Sequence, residues 1–357
     1  MRFPDSVTVA QLDFFDEVLD VRSPAEYADD HVPGAVSCPV LDNAERAEVG
    51  TMYKQVSPFA ARKRGAALVA RNIARHLDER FSDRPKDWRP LVYCWRGGKR
   101  SGAMTHVLRE VGWQAAQLVG GYKAYRREVV AQLEALPAQF RYVVVCGETG
   151  SAKSRLLEAL EREGAQVLDL EQLARHRGSV LGSLPASPQP PQKWFETLVW
   201  DRLRKFERAL PVFVEAESKK VGELQVPEGL IRAMHVSECV RVEAPVGERV
   251  RFLIDEYRHF LADPAALGAQ LDCLTPLHGK DTIAAWKALA ERGDWDTLVC
   301  ELLVSHYDPA YRRSSAKHFV RLTAAQTVAL ESLSAQSIAC AARTLAGETS
   351  VKQAMAG

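Results

Sequence analysis

The residues Gly147–Ser154, GETGSAKS, follow the apolar run Tyr142–Cys146 (YVVVC) and open the segment SRLLEALEREG, which stops at Gly164. An apolar run that turns through glycines into a segment with apolar residues at helical spacing is the strand-to-helix step of a parallel α/β sheet. Such a turn aims several backbone N–H groups and the positive end of a helix dipole at one point, where a diphosphate can bind. Lys153 adds a point charge for the distal phosphates, and the Ser154 hydroxyl can reach a magnesium ion. Gly147, Glu148, Thr149, Gly150, Ser151, Ala152, Lys153 and Ser154 are therefore the first candidate site.

The spacing from Gly147 to Lys153 and Ser154 fits the P-loop pattern with one departure: the position before the lysine, where glycine is expected, holds Ala152. A methyl group there is expected to crowd the backbone's approach to phosphate. A later strand, PVFVEAES, places Glu215 where P-loop proteins often hold an acidic group near the metal. A plain strand-to-helix turn would explain the glycines, but not the ordered set of strand, turn, lysine and helix.

A second loop of the same kind lies upstream. Cys94–Ser101, CWRGGKRS, follows Leu91–Tyr93 and precedes the apolar-periodic AMTHVLREVG. Cys94 sits at a helix N-terminus among Arg96, Lys99 and Arg100, so dipole and cations both favour its thiolate, which makes it a candidate nucleophile. Trp95, Arg96, Gly97, Gly98, Lys99, Arg100 and Ser101 complete the anion loop. Ahead of it stand DVRSPAEY (Asp20–Tyr27) and HVPGAVSCPV (His31–Val40), and this order of motifs resembles the rhodanese domain. Five residues separate Cys94 from Arg100, one more than in the thiosulfate-sulfur loop. The wider loop matches cysteine phosphatases and suits a tetrahedral, phosphate-sized anion.

At 357 residues the chain is too long for one typical core. The pattern predicts two α/β units, 1–137 and 138–357, with a break near Pro137. Strands around Val18–Arg22, Leu91–Trp95 and Gln117–Val119 alternate with helices such as Ala61–Glu79 in the first. The second has strands near Val143, Val167, Val212 and Val236–Val242, then turns helical after Val246 through to the last stretch from Ala324 onward. The Gly-, Ser- and Pro-rich run Arg177–Gln192 is long enough for a substrate loop.

With 47 Lys+Arg against 46 Asp+Glu, no global basic field exists, and any RNA contact must use local patches. Lys54–Gly65 (KQVSPFAARKRG), Tyr122–Arg127 (YKAYRR) and Tyr311–Arg321 (YRRSSAKHFVR) mix cations with aromatics that could stack on bases. A solvated helix face explains any one of them equally well. The seven cysteines include no Cys-x-x-Cys pair and read as reduced thiols, with no zinc motif. No signal-peptide run or apolar stretch of about 18 residues is present, so a cytoplasmic, membrane-free protein is expected.

A rhodanese-like domain followed by a P-loop domain with a helical C-terminal part resembles the bacterial tRNA 2-selenouridine synthases. DVRSPAEY, YKQVSPFAARKRG, YCWRGGKRSG, GETGSAKS, RHRGSVLG, FVEAES and HYDPAY all look like that family's landmarks. The resemblance implies that wobble 2-thiouridine in the tRNA anticodon is S-geranylated with geranyl diphosphate and then takes selenium from selenophosphate. It implies Cys94 for the selenium step and the P-loop for the diphosphate; no tightly bound cofactor is expected, and a magnesium ion could accompany the diphosphate. Selenium could reach C2 of the base directly or through a perselenide on Cys94, the simpler use of a rhodanese thiolate. WFETLVW (Trp194–Trp200) is a candidate trough for the geranyl chain, though a buried helix would account for it as well. Two other readings stay open: a cysteine-dependent phosphatase or sulfurtransferase coupled to a nucleotide-binding domain, and an anion-sensing regulatory protein.

Overall fold

The computed structural model describes residues 4–179, 181–184 and 187–354. The chain divides into two compact units, one of Met1–Gln132 with Pro191–Asp201, the other of Leu133–Pro190 with Arg202–Gly357.

The first unit is built on β1 (Ser6–Val7), β2 (Glu17–Asp20), β3 (Val36–Ser37), β4 (Pro90–Tyr93) and β5 (Ala116–Leu118). They form a wholly parallel sheet in the order β1-β5-β4-β2-β3. Every residue of the central strand β4 is buried, as expected of a parallel strand covered on both faces. The helices are α1 (Pro24–Asp29), α2 (Asn43–Gln55), α3 (Pro58–Arg80), α4 (Lys99–Val111) and α5 (Gly121–Ala135). The expected helix Ala61–Glu79 lies inside α3, whose start is set by Pro58 at its first position and by the Ser57 hydroxyl accepting the Phe59 N–H at 3.2 Å.

The second unit repeats the plan. Its strands β6 (Tyr142–Cys146), β7 (Gln166–Leu168) and β8 (Val212–Glu215) precede a small antiparallel hairpin of β9 (Lys220–Val221) and β10 (Leu224–Gln225). With β11 (Glu238–Glu243) and β12 (Gln326–Ala329) they give a parallel sheet in the order β12-β11-β6-β8-β7. Gln326–Ala329 corrects the expectation of unbroken helix from Ala324 onward. As a short edge strand with only Val328 partly buried, it carries no alternation to read. Helices α6 (Lys153–Arg162), α7 (Leu170–Ala174), α8 (Gln192–Arg204), α9 (Glu228–His235) and α10 (Val246–Glu256) follow in order. Residues 258–318 are almost wholly helical, packed around the fully buried Trp286, whose indole N–H reaches Glu301 at 2.8 Å.

Pro191–Asp201, the first turns of α8, belong to the first unit. Lys193 pairs with Asp29 at 2.6 Å, Trp194 stacks on His31 at 3.9 Å, and the Trp200 N–H meets Gln132 at 2.6 Å. Phe195 and Val199 are fully buried and Trp200 nearly so. WFETLVW is thus core rather than an open trough, because the helix spends its apolar face on the first unit's own packing. No described helix is long and apolar enough to cross a membrane.

Candidate active sites at two central strands

In each sheet the glycine-rich loop follows the central strand, β4 in one and β6 in the other. Ligands of open parallel sheets gather there, outside the carboxyl ends of the strands.

Cys94 follows β4. Its Sγ accepts the Gly98 N–H at 3.3 Å and the Ser101 hydroxyl at 3.1 Å, and Gln117 Nε2 donates to Ser101 Oγ at 2.7 Å, turning that hydroxyl toward the sulfur. Burial pushes the Cys94 thiol up, but the Ser101 hydroxyl and the N–H groups of Ser101, Gly98 and Arg96 outweigh it and hold the thiol below the ordinary cysteine value. Cys38, buried without such a cradle, is pushed up to about 11. The cations expected to do this work are placed otherwise. Arg96 and Lys99 are exposed, and Arg100 donates to Glu26 at 3.0 Å, where Glu26 already closes the capping box of α1 with Ser23. Hydrogen bonds, not neighbouring charges, lead the stabilisation of the thiolate.

Two glycines make the loop possible. Gly97 has φ +63°, and a Cβ on it would lie 2.5 Å from the Leu118 carbonyl oxygen. Gly121 has φ +58°, and a Cβ there would overlap the carbonyl oxygen of Cys94 itself. Gly121 and Gln117 were not singled out from the sequence, since nothing local ties them to the cysteine. Asp20 and Arg22 of DVRSPAEY form a buried pair at 2.6 Å that also holds Tyr93 Oη and the Asp30 carbonyl oxygen. They brace the end of β4. The YKAYRR patch is corrected in part: Tyr122 and Tyr125 are buried, Tyr122 donating to Asp30 at 2.8 Å, so neither ring can receive a base.

The cradle's hydrogen bonds set a pH dependence. Because the folded thiol titrates below its ordinary value, alkylation of Cys94 rises with pH earlier than for a free cysteine. Ser101→Ala removes one donor, so its rise is expected at higher pH with slower alkylation at neutral pH. Iodoacetamide labelling against pH, read by mass spectrometry at Cys94, checks this; an unmoved profile would mean Ser101 does not hold the thiolate.

In the second unit Gly147–Ala152 turn from β6 into α6. Ala152 takes the left-handed conformation, φ 61°, ψ 31°, which explains why glycine is the usual residue there. Its methyl packs into the core with Val143, Leu156 and Leu160. The departure costs backbone strain of about 1 kcal/mol, and Ala152 also lines the cleft that opens over the loop. Lys153 Nζ donates to the Gly147 carbonyl oxygen at 2.7 Å, and the Gly147 N–H donates to Tyr311 Oη at 2.6 Å.

A cleft of about 580 Å³ opens over this loop, within the range of small-molecule sites. Asp169, Glu171 and Glu217 line it with Lys153 and Ser154, and Ser154 donates to Glu171 at 2.8 Å. Glu215 lies beneath, accepting the Glu171 N–H at 2.6 Å, with its second oxygen buried and unpartnered. Burial, and then repulsion from Asp169, Glu171 and Glu217, holds Glu215 well above the usual carboxylate range, and burial pushes Asp169 up to about 6. Among the described residues no three His, Cys, Asp or Glu side chains come together as a metal site. The donor set fits magnesium only in its common mode, one or two protein oxygens completed by the oxygens of a phosphate-bearing ligand.

Arg249 anchors the loop from below. It donates to Asp308 at 2.5 and 3.1 Å, to Glu148 at 2.7 Å and to the Thr149 carbonyl oxygen at 2.9 Å, at 1% exposure. HYDPAY, quoted above as a landmark without a role, supplies both Asp308 and Tyr311. Arg177 and Gly178 bring the Arg177–Gln192 run to the cleft; its Val180, Pro185 and Ala186 lie outside the described residues. In the YRRSSAKHFVR patch Tyr311 is committed to the loop and Phe319 is buried, while the side chains of 314–317 are outside the description.

Comparison with known proteins now bears on both sites. A family model described as the tRNA 2-selenouridine synthase AAA domain matches residues 140–270, and the rhodanese-like domain model matches residues 8–128. A Cupriavidus necator protein named tRNA 2-selenouridine synthase is 38% identical over 327 residues, 82% of this chain and 87% of its own length. The chain belongs to the tRNA 2-selenouridine synthase family. An Aeromonas salmonicida member of the same name is 33% identical over 332 residues, covering 84% of this chain and 87% of that one. A Nitrosomonas europaea synthase is 36% identical over 244 residues, and there the aligned part spans 63% of the relative's length. Both loops, Cys94–Ser101 and Gly147–Ser154, lie inside regions that these family models match.

Proposed function

We propose that this chain converts wobble 2-thiouridine in tRNA to 2-selenouridine in two steps, one at each loop. The observation that carries the reading is the pair of anion-directed loops at the central strands of two parallel sheets, one built around a donor-cradled thiol and the other around a lysine, in a chain of the selenouridine synthase family.

In the first step the thiouridine sulfur attacks the allylic carbon of geranyl diphosphate. The S–C bond forms, the C–O bond breaks and diphosphate leaves with the electron pair, stabilised by the N–H groups of Gly147–Ser154 and by Lys153. Magnesium, where present, would neutralise the diphosphate, with Ser154 and a cleft carboxylate among its ligands. In the second step the geranylthio group leaves C2 in favour of selenium. The five residues between Cys94 and Arg100 favour a particular form of it. Attack of the Cys94 thiolate on phosphorus of selenophosphate forms S–P, breaks P–Se and frees selenium with its pair as selenide, which displaces geranylthiolate from C2. Water then returns the cysteine and phosphate. A perselenide on Cys94 would have to expel phosphite or draw on an oxidant, so the phosphorus route is preferred.

For tRNA contact, the corner between α2 and α3 supports one patch. Tyr53 is 57% and Phe59 70% exposed, beside Lys54, Arg62 and Lys63, a combination that suits unpaired bases and phosphates.

The test is nucleoside mass spectrometry of 2-thiouridine tRNA incubated with the protein, geranyl diphosphate and selenophosphate. Geranylated and then selenium-substituted uridine are expected, and Lys153→Ala should slow geranylation on the order of 100-fold. Unchanged thiouridine from folded protein would sink the reading.

A further inference from the structure

From Pro58 to Leu77 the helix α3 carries five cations and no acid, in a chain whose charges otherwise balance at 47 against 46. Arg64 is taken by Glu48 of α2 at 2.7 Å, and the Arg62 Nε–H by the Pro58 carbonyl oxygen at 3.1 Å. Lys63, Arg71 and Arg75 are exposed and have no acidic partner among the described residues. At helical spacing these three share one ridge with Ala67, and the exposed Ala66, Ala70 and Ala74 form the ridge beside it. Like charges one turn apart, as at Arg71 and Arg75, weaken a helix, whereas a solvated face ordinarily alternates sign at that spacing. The arrangement favours a bound polyanion over the free protein.

Three contacts with the chain that continues β3 give α3 its direction. Asn72 donates to the Val40 carbonyl oxygen at 3.1 Å, His76 lies 3.0 Å from that of Pro39, and Arg80 donates to that of Ser37 at 2.6 Å. As α3 advances its partners recede, so the helix runs antiparallel to the strands of its sheet. Its first turns, with the aromatic corner at Tyr53 and Phe59, therefore stand at the carboxyl end of the sheet, where Cys94 follows β4. Arg71 and Arg75 lead away from that end. From Lys63 to Arg75 the helix rises about 18 Å, the length of about five base pairs at roughly 3.4 Å each, which is that of an anticodon stem.

Between residues 60 and 80 no large apolar side chain is exposed among those described, so the face lacks the anchors of a protein interface. Alanine methyls let a phosphodiester backbone come close, and paired RNA is held by such backbone contacts and by its shape. We propose that α3 is the docking track for the base-paired stem of the anticodon arm, with Arg71 and Arg75 on its phosphates and the loop directed to the helix start. This rests on the reading of the substrate as tRNA and assigns the stem its own surface, apart from the corner offered to unpaired bases.

The test is fluorescence anisotropy of the full chain with two labelled RNAs over a range of potassium chloride. One is an anticodon stem-loop containing 2-thiouridine, the other an unpaired strand with the same loop sequence. The stem-loop is expected to bind at least tenfold tighter, and exchanging its base pairs should change that by no more than about twofold. Arg71→Gln with Arg75→Gln should bring the stem-loop to within about twofold of the unpaired strand and make its log-log salt slope shallower by about 2. Affinity for the unpaired strand and the pH profile of Cys94 alkylation should stay as they were, which shows that the variant is folded. Arg71→Lys with Arg75→Lys should keep the preference, because the contact is with charge. Unchanged stem-loop binding by the glutamine variant would overturn the stem track and leave the tRNA reading standing, and so would equal loss of both RNAs. Polyglutamate that displaces the stem-loop at equal charge concentration would overturn it as well, giving the ridge to an acidic protein. A wild-type protein that binds neither RNA nor whole 2-thiouridine tRNA would remove the reading beneath and the proposal with it.

Discussion

Cys94→Ser protein, given 2-thiouridine tRNA and both small substrates, is expected to stop at the geranylated nucleoside. Serine preserves the size of the side chain and can accept the same Gly98 N–H and Ser101 hydroxyl bonds, so stability should change by no more than about 1 kcal/mol. What it cannot do is ionise near neutral pH, and the cradle that holds the Cys94 thiol low has no comparable hold on an alcohol. Loss of the nucleophile should slow selenium incorporation by roughly 10³-fold or more. Geranylation, assigned to the other unit, should continue at its normal rate. The measurement is the ratio of geranylated to selenium-containing uridine over time. Equal loss of both products from a folded variant would refute the division of labour.

Arg249→Ala should be the most destabilising single change in the P-loop unit. The guanidinium is enclosed by Asp308, Glu148 and the Thr149 carbonyl oxygen, and its removal leaves the buried Asp308 carboxylate without its partner. Breaking one side of a buried ion pair costs about 3–5 kcal/mol. For a unit of this size each kcal/mol moves the melting temperature by about 2–4 °C, so a fall of roughly 6–20 °C is expected. The paired replacement Arg249→Met with Asp308→Leu separates stability from loop geometry. Removing both charges should restore most of the melting temperature. It leaves the Thr149 carbonyl oxygen without its arginine donor and Glu148 with Arg312 but not Arg249, so geranylation should stay impaired. Full recovery of both would make Arg249 a matter of stability alone.

Much of the architecture was legible because both loops announce themselves over a few consecutive residues. An apolar run, glycines, a lysine or cysteine and a helical period are all local features, and β4, β6, α4 and α6 lie where they predict. What stayed hidden depends on contacts between distant residues. Gln117 acts on Cys94 through Ser101, Gly121 allows the backbone to pass the Cys94 carbonyl, and Tyr311 meets Gly147 from far along the chain. The cations around Cys94 misled for a related reason: sequence places Arg100 beside the thiol, while folding gives it to Glu26. Aromatic and basic runs were ambiguous by nature. The two tyrosines of YKAYRR are interior and KQVSPFAARKRG is mostly surface, and only burial separates them.

The return of Pro191–Asp201 to the first unit imposes an order in time. Lys193, Trp194 and Trp200 close over Asp29, His31 and Gln132, so the first unit lacks part of its own core until α8 has been made. Residues 133–190 of the other unit are synthesised in between. At about 5–20 residues per second the nascent N-terminal sheet waits roughly 3–14 s, its aromatic face uncovered, for a segment encoded inside its neighbour. The cysteine loop's unit can therefore close only once residue 201 has been made, while the P-loop still waits for Arg249, Asp308 and Tyr311.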